Sequence, residues 1–382
     1  MKLRSFFLTV VIFALAGTQF PDVMKSLGIA GNPVSIAVPA GLTKVDSEVR
    51  DPEEFYSVLY DAILNVKEKV KVRVADYDET KYSVDEAFHR ALRENAGLGF
   101  VSACNATVSQ TVGKASAIME LELTYSYTPE KVAGMRKEAD RAAEEIVGSV
   151  VSPVMSDYEK VLALHDYLIK NSRYDVENAN SDTVPAEEHE AYGVLVNGIG
   201  VCDSYAKAFK LLMDKAGVEC LLVEGSSTDA SGQGTANLDH AWNIVSLDGE
   251  YYHIDTTWDD VAEDRDSEDL VYHYLNLDDE DMLKTHQWDM ENYPECLGTK
   301  YNYYRYNRLY ARNLTEAQTM MTKALSARKE KLMVRVADYD SSAYDVEGMI
   351  RKAAEKSGIR QGISASWIIN DSLGILDIKF EY

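Results

Sequence analysis

Gly200-Val201-Cys202-Asp203-Ser204-Tyr205-Ala206, then Asp239-His240-Ala241-Trp242-Asn243, then His253-Ile254-Asp255-Thr256-Thr257-Trp258 is the stretch whose reading decides the fold. A cysteine, a histidine and an aspartate occur in that order, each in a different local setting. Gly198 and Gly200 break the chain just before Cys202. Beyond it, Ala206, Phe209, Leu212, Met213 and Ala216 keep a helical spacing that Gly217 closes. Cys202 is therefore predicted at the start of a helix. Free backbone N–H groups and the positive end of the helix dipole favour a thiolate there. His240 opens an alternating run to Leu247, Asp248-Gly249 is a two-residue hairpin turn, and Glu250 to Asp255 reads as the return strand. The hairpin brings His240 and Asp255 to one end of neighbouring strands, where a carboxylate can orient an imidazole toward a thiol.

From about Ser156 to Tyr304, less than half the chain, the sequence resembles the bacterial transglutaminase-like superfamily, whose core is papain-like. The resemblance rests on Ala191-Tyr192-Gly193 through Cys202, on His-Ala-Trp-Asn at 240–243 and on Asp-Thr-Thr-Trp-Asp at 255–259. It departs at Ser204, where many relatives have glycine. What it implies is an α+β fold, the cysteine's helix packed on an antiparallel sheet, and a Cys202-His240-Asp255 triad. The reaction implied is acyl transfer from an amide of a protein or peptide, cell-wall associated or not, through a thioester. Water as acceptor gives a protease or amidase, and a lysine amine gives cross-linking; the sequence leaves both open. No cofactor is expected. A non-catalytic surface binding or scaffolding protein of the same fold is the alternative.

Around that triad, the Cys202 backbone N–H is one expected oxyanion donor, with Tyr192 as a second donor or a cleft wall. Trp242 and Trp258 read as cleft or core packing. His253 competes with His240 as base, because it lies two residues before Asp255 on the same strand face; the family pattern favours His240. Asp239 is expected on the other strand face. His165, on a predicted helix through Ile169, reads as packing. A zinc site would need a fourth ligand at metal-like spacing, and none is evident.

The 382 residues carry 46% hydrophobic side chains and 24 tyrosines, enough for two or three domains with substantial cores. A net charge of −24 argues against nucleic acid as partner, and against anionic membrane surfaces. Met1-Lys2-Leu3-Arg4, an apolar run from Ser5 to Ala14 and the small-x-small Ala14-Leu15-Ala16 read as a signal peptide over 1–16, with no stable membrane insertion after its removal. The expected location is secreted or cell surface. Cys104, Cys202, Cys220 and Cys296 are too sparse for a disulfide framework, and Cys220 reads as a buried small side chain.

A second pattern brackets the first. Val72-Arg73-Val74-Ala75-Asp76-Tyr77-Asp78 recurs as Val334-Arg335-Val336-Ala337-Asp338-Tyr339-Asp340, and Leu121 to Tyr127 echoes Leu376 to Tyr382. An α-β-α-β-β unit is thus expected twice, at 51–127 and 313–382, flanking a catalytic domain at 150–310. The first copy opens on Asp51-Pro52-Glu53-Glu54, an N-cap acid and a first-turn proline. Asp264-x-Asp266-x-Glu268 has the alternating acids of a calcium loop but lacks the central glycine and distal glutamate, so a solvated charged loop is expected.

Overall fold

A computed structural model describes residues 9–13, 45–111, 114–179, 183–228, 238–260, 270–337, 339–340, 344–359 and 362–382. The chain divides into two compact units, Met1–Arg136 and Lys137–Tyr382. Of the signal segment predicted over 1–16, only Thr9–Phe13 is described, and the Asp264–Glu268 pattern lies outside the described residues. Among the described residues, no helix is long and apolar enough to cross a membrane.

In the first unit, Asp51 caps helix α1 (Pro52–Leu64) by accepting from the Glu54 N–H at 2.9 Å. Strand β3 (Lys69–Val74) alternates, burying Val70, Val72 and Val74. Ser83 caps α2 (Val84–Glu94), and β4 (Val101–Thr111) and β5 (Ala117–Tyr125) follow. With β1 (Thr9–Phe13) and β2 (Ser47–Val49) they form one sheet in the order β1-β4-β5-β3-β2. Phe55, Leu59 and Ile63 of α1 and Phe88 of α2 pack against its buried face.

The second unit is built on α4 (Asp157–Asn171), α5 (Cys202–Ala216) and an antiparallel sheet. A short parallel pair, β6 (Arg173–Tyr174) and β7 (Ile199–Gly200), precedes the sheet, whose strands are β8 (Cys220–Ser227), β9 (Leu238–Leu247), β10 (Glu250–Ile254), β11 (Leu275–Leu277) and β12 (His286–Trp288), in the order β11-β10-β9-β8-β12. Helix α3 (Pro129–Val150) contributes Ala139, Ala143 and Ile146 to the core that α4 and α5 share with this sheet. The hairpin turn forms as the Asp-Gly pair dictates, with φ of 53° at Asp248 and 82° at Gly249. Two ties fix α5 on the sheet: Asn243 donates from β9 to Ala206 O at 3.0 Å, and buried Lys210 donates to Cys220 O at 3.0 Å.

The same unit contains β13 (Tyr310–Ala311), α6 (Leu314–Ser326), β14 (Lys331–Val336), α7 (Val346–Lys356), β15 (Ser364–Asn370) and β16 (Ile375–Glu381). Their sheet runs β13-β14-β16-β15, with β13 parallel to β14 and the other pairs antiparallel. In the first unit β2 is likewise parallel to β3, β3 pairs with β5 and β5 with β4. Both modules thus read β-α-β-α-β-β. Their opening strands, three and two residues long, are too short to show a period in the sequence. The boundary expected near residue 310 differs from the structure. Leu373 and Ile375 share a core with Val223, Trp242 and Ile244, and the Arg335 guanidinium pairs with Asp281 at 2.5 Å. No linker intervenes, since Tyr310–Ala311 is itself a strand.

Candidate active site

Cys202 is the first residue of α5. The chain reaches it through Gly198 at φ 69° and through Gly200, where an added Cβ would lie 2.5 Å from Ser204 Oγ. Ser204, the departure from the family's glycine, is fully buried; its hydroxyl donates to Glu190 O at 2.6 Å and accepts from Val194 N–H at 3.2 Å. The serine therefore fastens the approach to Cys202. Val201, the N-cap, makes no side-chain cap, so nothing from its side chain covers the N–H groups of the first turn. All four cysteines are free, and Cys202 alone is half-buried while Cys104, Cys220 and Cys296 are buried. Burial pushes those three thiols up, Cys104 to about 12.

His240 leaves β9 opposite Gly225, and Asp255 follows β10 directly. His240 Nε2 and Asp255 Oδ2 are 2.6 Å apart. Cys202 bears on the His240 ring electrostatically; with Nε2 taken by Asp255, Nδ1 is the nitrogen left for sulfur. Burial disfavours charge on the ring, but Asp255, and then Cys202, outweigh it and raise His240 well above the ordinary imidazole value. Burial likewise works against the Asp255 carboxylate, and His240 and His286 hold it well below the usual range. The His240 ring thus faces the Asp255 carboxylate on one side and Cys202 on the other.

Asp255 accepts four hydrogen bonds. Its Oδ1 accepts from Thr257 N–H at 2.9 Å and Trp258 N–H at 3.1 Å, capping the helical turn Thr256–Asp259. Its Oδ2 takes His240 and also His286 Nε2 at 3.1 Å. His286 was not singled out by the sequence. It stands on a three-residue edge strand with no periodicity, and the pairing that delivers it, His286 opposite Ser227, spans 59 residues of chain.

His253 has both ring nitrogens engaged away from Cys202. The Trp242 indole N–H donates to its Nδ1 at 3.0 Å, so the ring proton sits on Nε2 and faces Asp279 Oδ1 at 2.8 Å. Both nitrogens are occupied, and burial pulls the group below the ordinary histidine value. This pins Trp242, whose ring stacks 5.9 Å from His240 at 23°. Trp258 lies 5.9 Å from His240 and 4.6 Å from His286. Tyr192 is elsewhere engaged, its hydroxyl donating to Glu138 at 3.2 Å. The tyrosine coupled to the charges of Cys202 and Asp255 is Tyr174, whose phenol is raised first by burial and then by Cys202. His165 packs as expected but as an ion, between Asp166 at 3.2 Å and Asp259 at 3.1 Å. Nothing is described of the Asp239 side chain.

Two groups of three metal-ligating side chains occur among the described residues: His240, Asp255 and His286, and His253, Asp279 and Cys296. Their spacing in sequence gives no sign of either. A cation on His253 Nε2 would move the ring proton to Nδ1, against the Trp242 N–H, donor facing donor. In the first group the ring protons could turn toward Cys202 and Thr285, but the hydrogen bonds already satisfy each ligand atom.

The transglutaminase-like superfamily model matches residues 144–256, which hold Cys202, His240 and Asp255. The chain contains a transglutaminase-like domain. Over 121 residues it is 32% identical to the kyphoscoliosis peptidase of Mus musculus, a match that covers 30% of this chain and 18% of that protein. Among solved structures it is similar to a TGase at 14% identity and TM-score 0.29, over 57% of this chain and 60% of that one. It is also similar to the periplasmic domain of TgpA from Pseudomonas aeruginosa at 17% identity and TM-score 0.23, over 38% and 57%. Scores this low carry no weight for the fold. The domain and its mixed α+β architecture rest on the family match and on the elements described above.

Proposed function

We propose that the chain is a thiol-dependent acyl-transfer enzyme acting on amide bonds of proteins or peptides. The observation that carries this is the His240–Asp255 contact at 2.6 Å through Nε2, with the half-buried Cys202 acting on the same ring. In this reading the Cys202 thiolate attacks the amide carbonyl. The helix-start N–H groups of α5 receive the oxyanion, and the His240 imidazolium gives its proton to the leaving amine as the thioester forms. Water or an amine then releases the acyl group, and His240 takes back a proton from it. Asp255 holds the ring in the required tautomer throughout.

The chemistry divides between two acceptors, water and an amine, and the relative at 32% identity is named a peptidase. The acidic surface suits a polypeptide substrate better than a nucleic acid, and the basic-apolar start suits export to the cell exterior. A shared strand order, with the same parallel and antiparallel pairs, and the common Val-Arg-Val-Ala-Asp-Tyr-Asp run support reading the flanking modules as two copies of one unit.

Iodoacetamide near pH 6, with peptide mapping, tests the activated thiol. Cys202 is expected to be labelled, the three buried cysteines spared, and the labelling lost in His240→Ala. Cys202→Ala is expected to stay folded and to lose all amide turnover, measured on peptides and on glutamine-containing proteins with and without added amine. Turnover that survives Cys202→Ala would overturn the mechanism.

A further inference from the structure

His286 is fully buried and sits in an aromatic box. Trp242 lies 5.0 Å from its ring, Trp258 4.6 Å and Tyr274 5.6 Å, and His240 stands 5.3 Å away. Its only exits from that box are polar. Nε2 lies 3.1 Å from Asp255 Oδ2, and Nδ1 lies 2.8 Å from Thr285 Oγ1. An ionised carboxylate only accepts, so Nε2 carries the proton; Nδ1 of the neutral ring then accepts from the Thr285 hydroxyl. Two imidazoles thus converge on one carboxylate oxygen.

They cannot both be cations at that distance without repelling each other. The surroundings separate them. Burial, the first cause, and the charge of His240 keep His286 below the ordinary histidine value, while Asp255 and Cys202 raise His240. The other titratable groups bearing on the pair are His253 behind Trp242, Tyr274, Asp259 in the turn after Asp255, and Tyr174 beside Cys202.

We infer that His286 is a positioning residue for the proposed reaction: a neutral N–H donor that holds Asp255 Oδ2 and shares its charge with His240. The inference rests on the Cys202-His240-Asp255 reading. Without this donor the full charge of Asp255 Oδ2 falls on His240, and the carboxylate oxygen is oriented by one ring only. His286 touches neither substrate nor sulfur; it acts through Asp255. Side chains that orient such a partner are commonly worth about 10- to 100-fold.

Imidazole NMR titration of the full chain provides a test that needs no substrate. His286→Leu fills the box but donates nothing; His286→Gln places an amide N–H near the position of Nε2. In the Leu variant, His240 is expected to titrate at higher pH than in the unmutated protein, and kcat to fall roughly 10- to 100-fold with KM changed less than about twofold. The Gln variant is expected to restore most of both. Thr285→Val, which unpins the tautomer, gives a smaller shift of the same sign and serves if the Leu variant does not fold. An unmoved His240 titration in the Leu and Val variants, or a Gln variant as impaired as Leu, overturns the inference. An unmutated protein whose His240 titrates as an ordinary imidazole overturns the triad reading itself.

Discussion

Asp255 receives four donors, two on each oxygen. An asparagine in its place cannot satisfy them. In one amide orientation its NH2 faces the two histidines, in the other it faces the Thr257 and Trp258 N–H groups. Asp255→Asn is therefore expected to lose on the order of 10⁴ in kcat and to lower stability by about 1–3 kcal/mol through unpaired buried donors. Steady-state kinetics and chemical denaturation measure the two effects separately. Asp203→Asn is expected to matter far less, because that side chain faces His189 at 3.0 Å. The sequence made Cys202, His240 and Asp255 legible because each stands at the start or end of an element whose period is visible. The choice between His240 and His253 was open at that level, since strand period puts His253 and Asp255 on one face. It is decided by the Trp242 N–H, a contact that no spacing encodes.

At the scale of elements, the site depends on two short pieces that carry little periodic signal. One is β12. Gly225 lets it approach β8: an added Cβ would lie 2.3 Å from Gln287 O and 2.7 Å from the Trp242 ring. Gly225→Ala is expected to cost about 1–3 kcal/mol by overpacking and to depress turnover by displacing β12 and His286. Thermal unfolding and kcat check this, and a variant with wild-type kcat would separate β12 from the chemistry. The other piece is the turn Thr256–Asp259, which presents the two N–H groups to Asp255 and is pinned by His165. Burial opposes charge on this pair and lifts Asp259 to about 6, while the two carboxylates raise His165 to about 9, so both are ionised near neutrality. The His165 pKa is above its unfolded value of about 6.5, so the folded state binds more protons between those values. Its contribution is complete below about pH 6.5 and is lost as pH rises through about 9. Stability is expected to fall over that window in melts at constant ionic strength. Asp166→Asn removes one of the raising partners and is expected to move the fall to lower pH.

At the scale of the whole molecule, the same seven residues occupy two environments. Val72 and Val74, like Val334 and Val336, are buried in their sheets, so the alternation fixes the strand in both places. The arginine between them does not have one fate. Arg73 is half-exposed and stands 4.0 Å from Glu48, a weak surface pair. Arg335 is buried, and its guanidinium meets Asp281, which also accepts from Lys284 at 2.9 Å. The identical run forms a strand in both places, but it could not reveal that the C-terminal module shares its core with the transglutaminase-like domain. That information lies in Trp242, Leu373 and Ile375, which come from distant segments. A paired substitution reads the difference directly. Arg335→Leu leaves Asp281 without its guanidinium in a buried site and is expected to cost about 3–5 kcal/mol, while Arg73→Leu is expected to change stability by less than about 1 kcal/mol. Because Arg335 lies in the unit that holds Cys202, its loss should also make the Cys202 segment open more readily, detected as faster amide exchange in α5 and β9. Equal effects of the two substitutions would mean that the Arg335–Asp281 pair contributes no more than a surface pair.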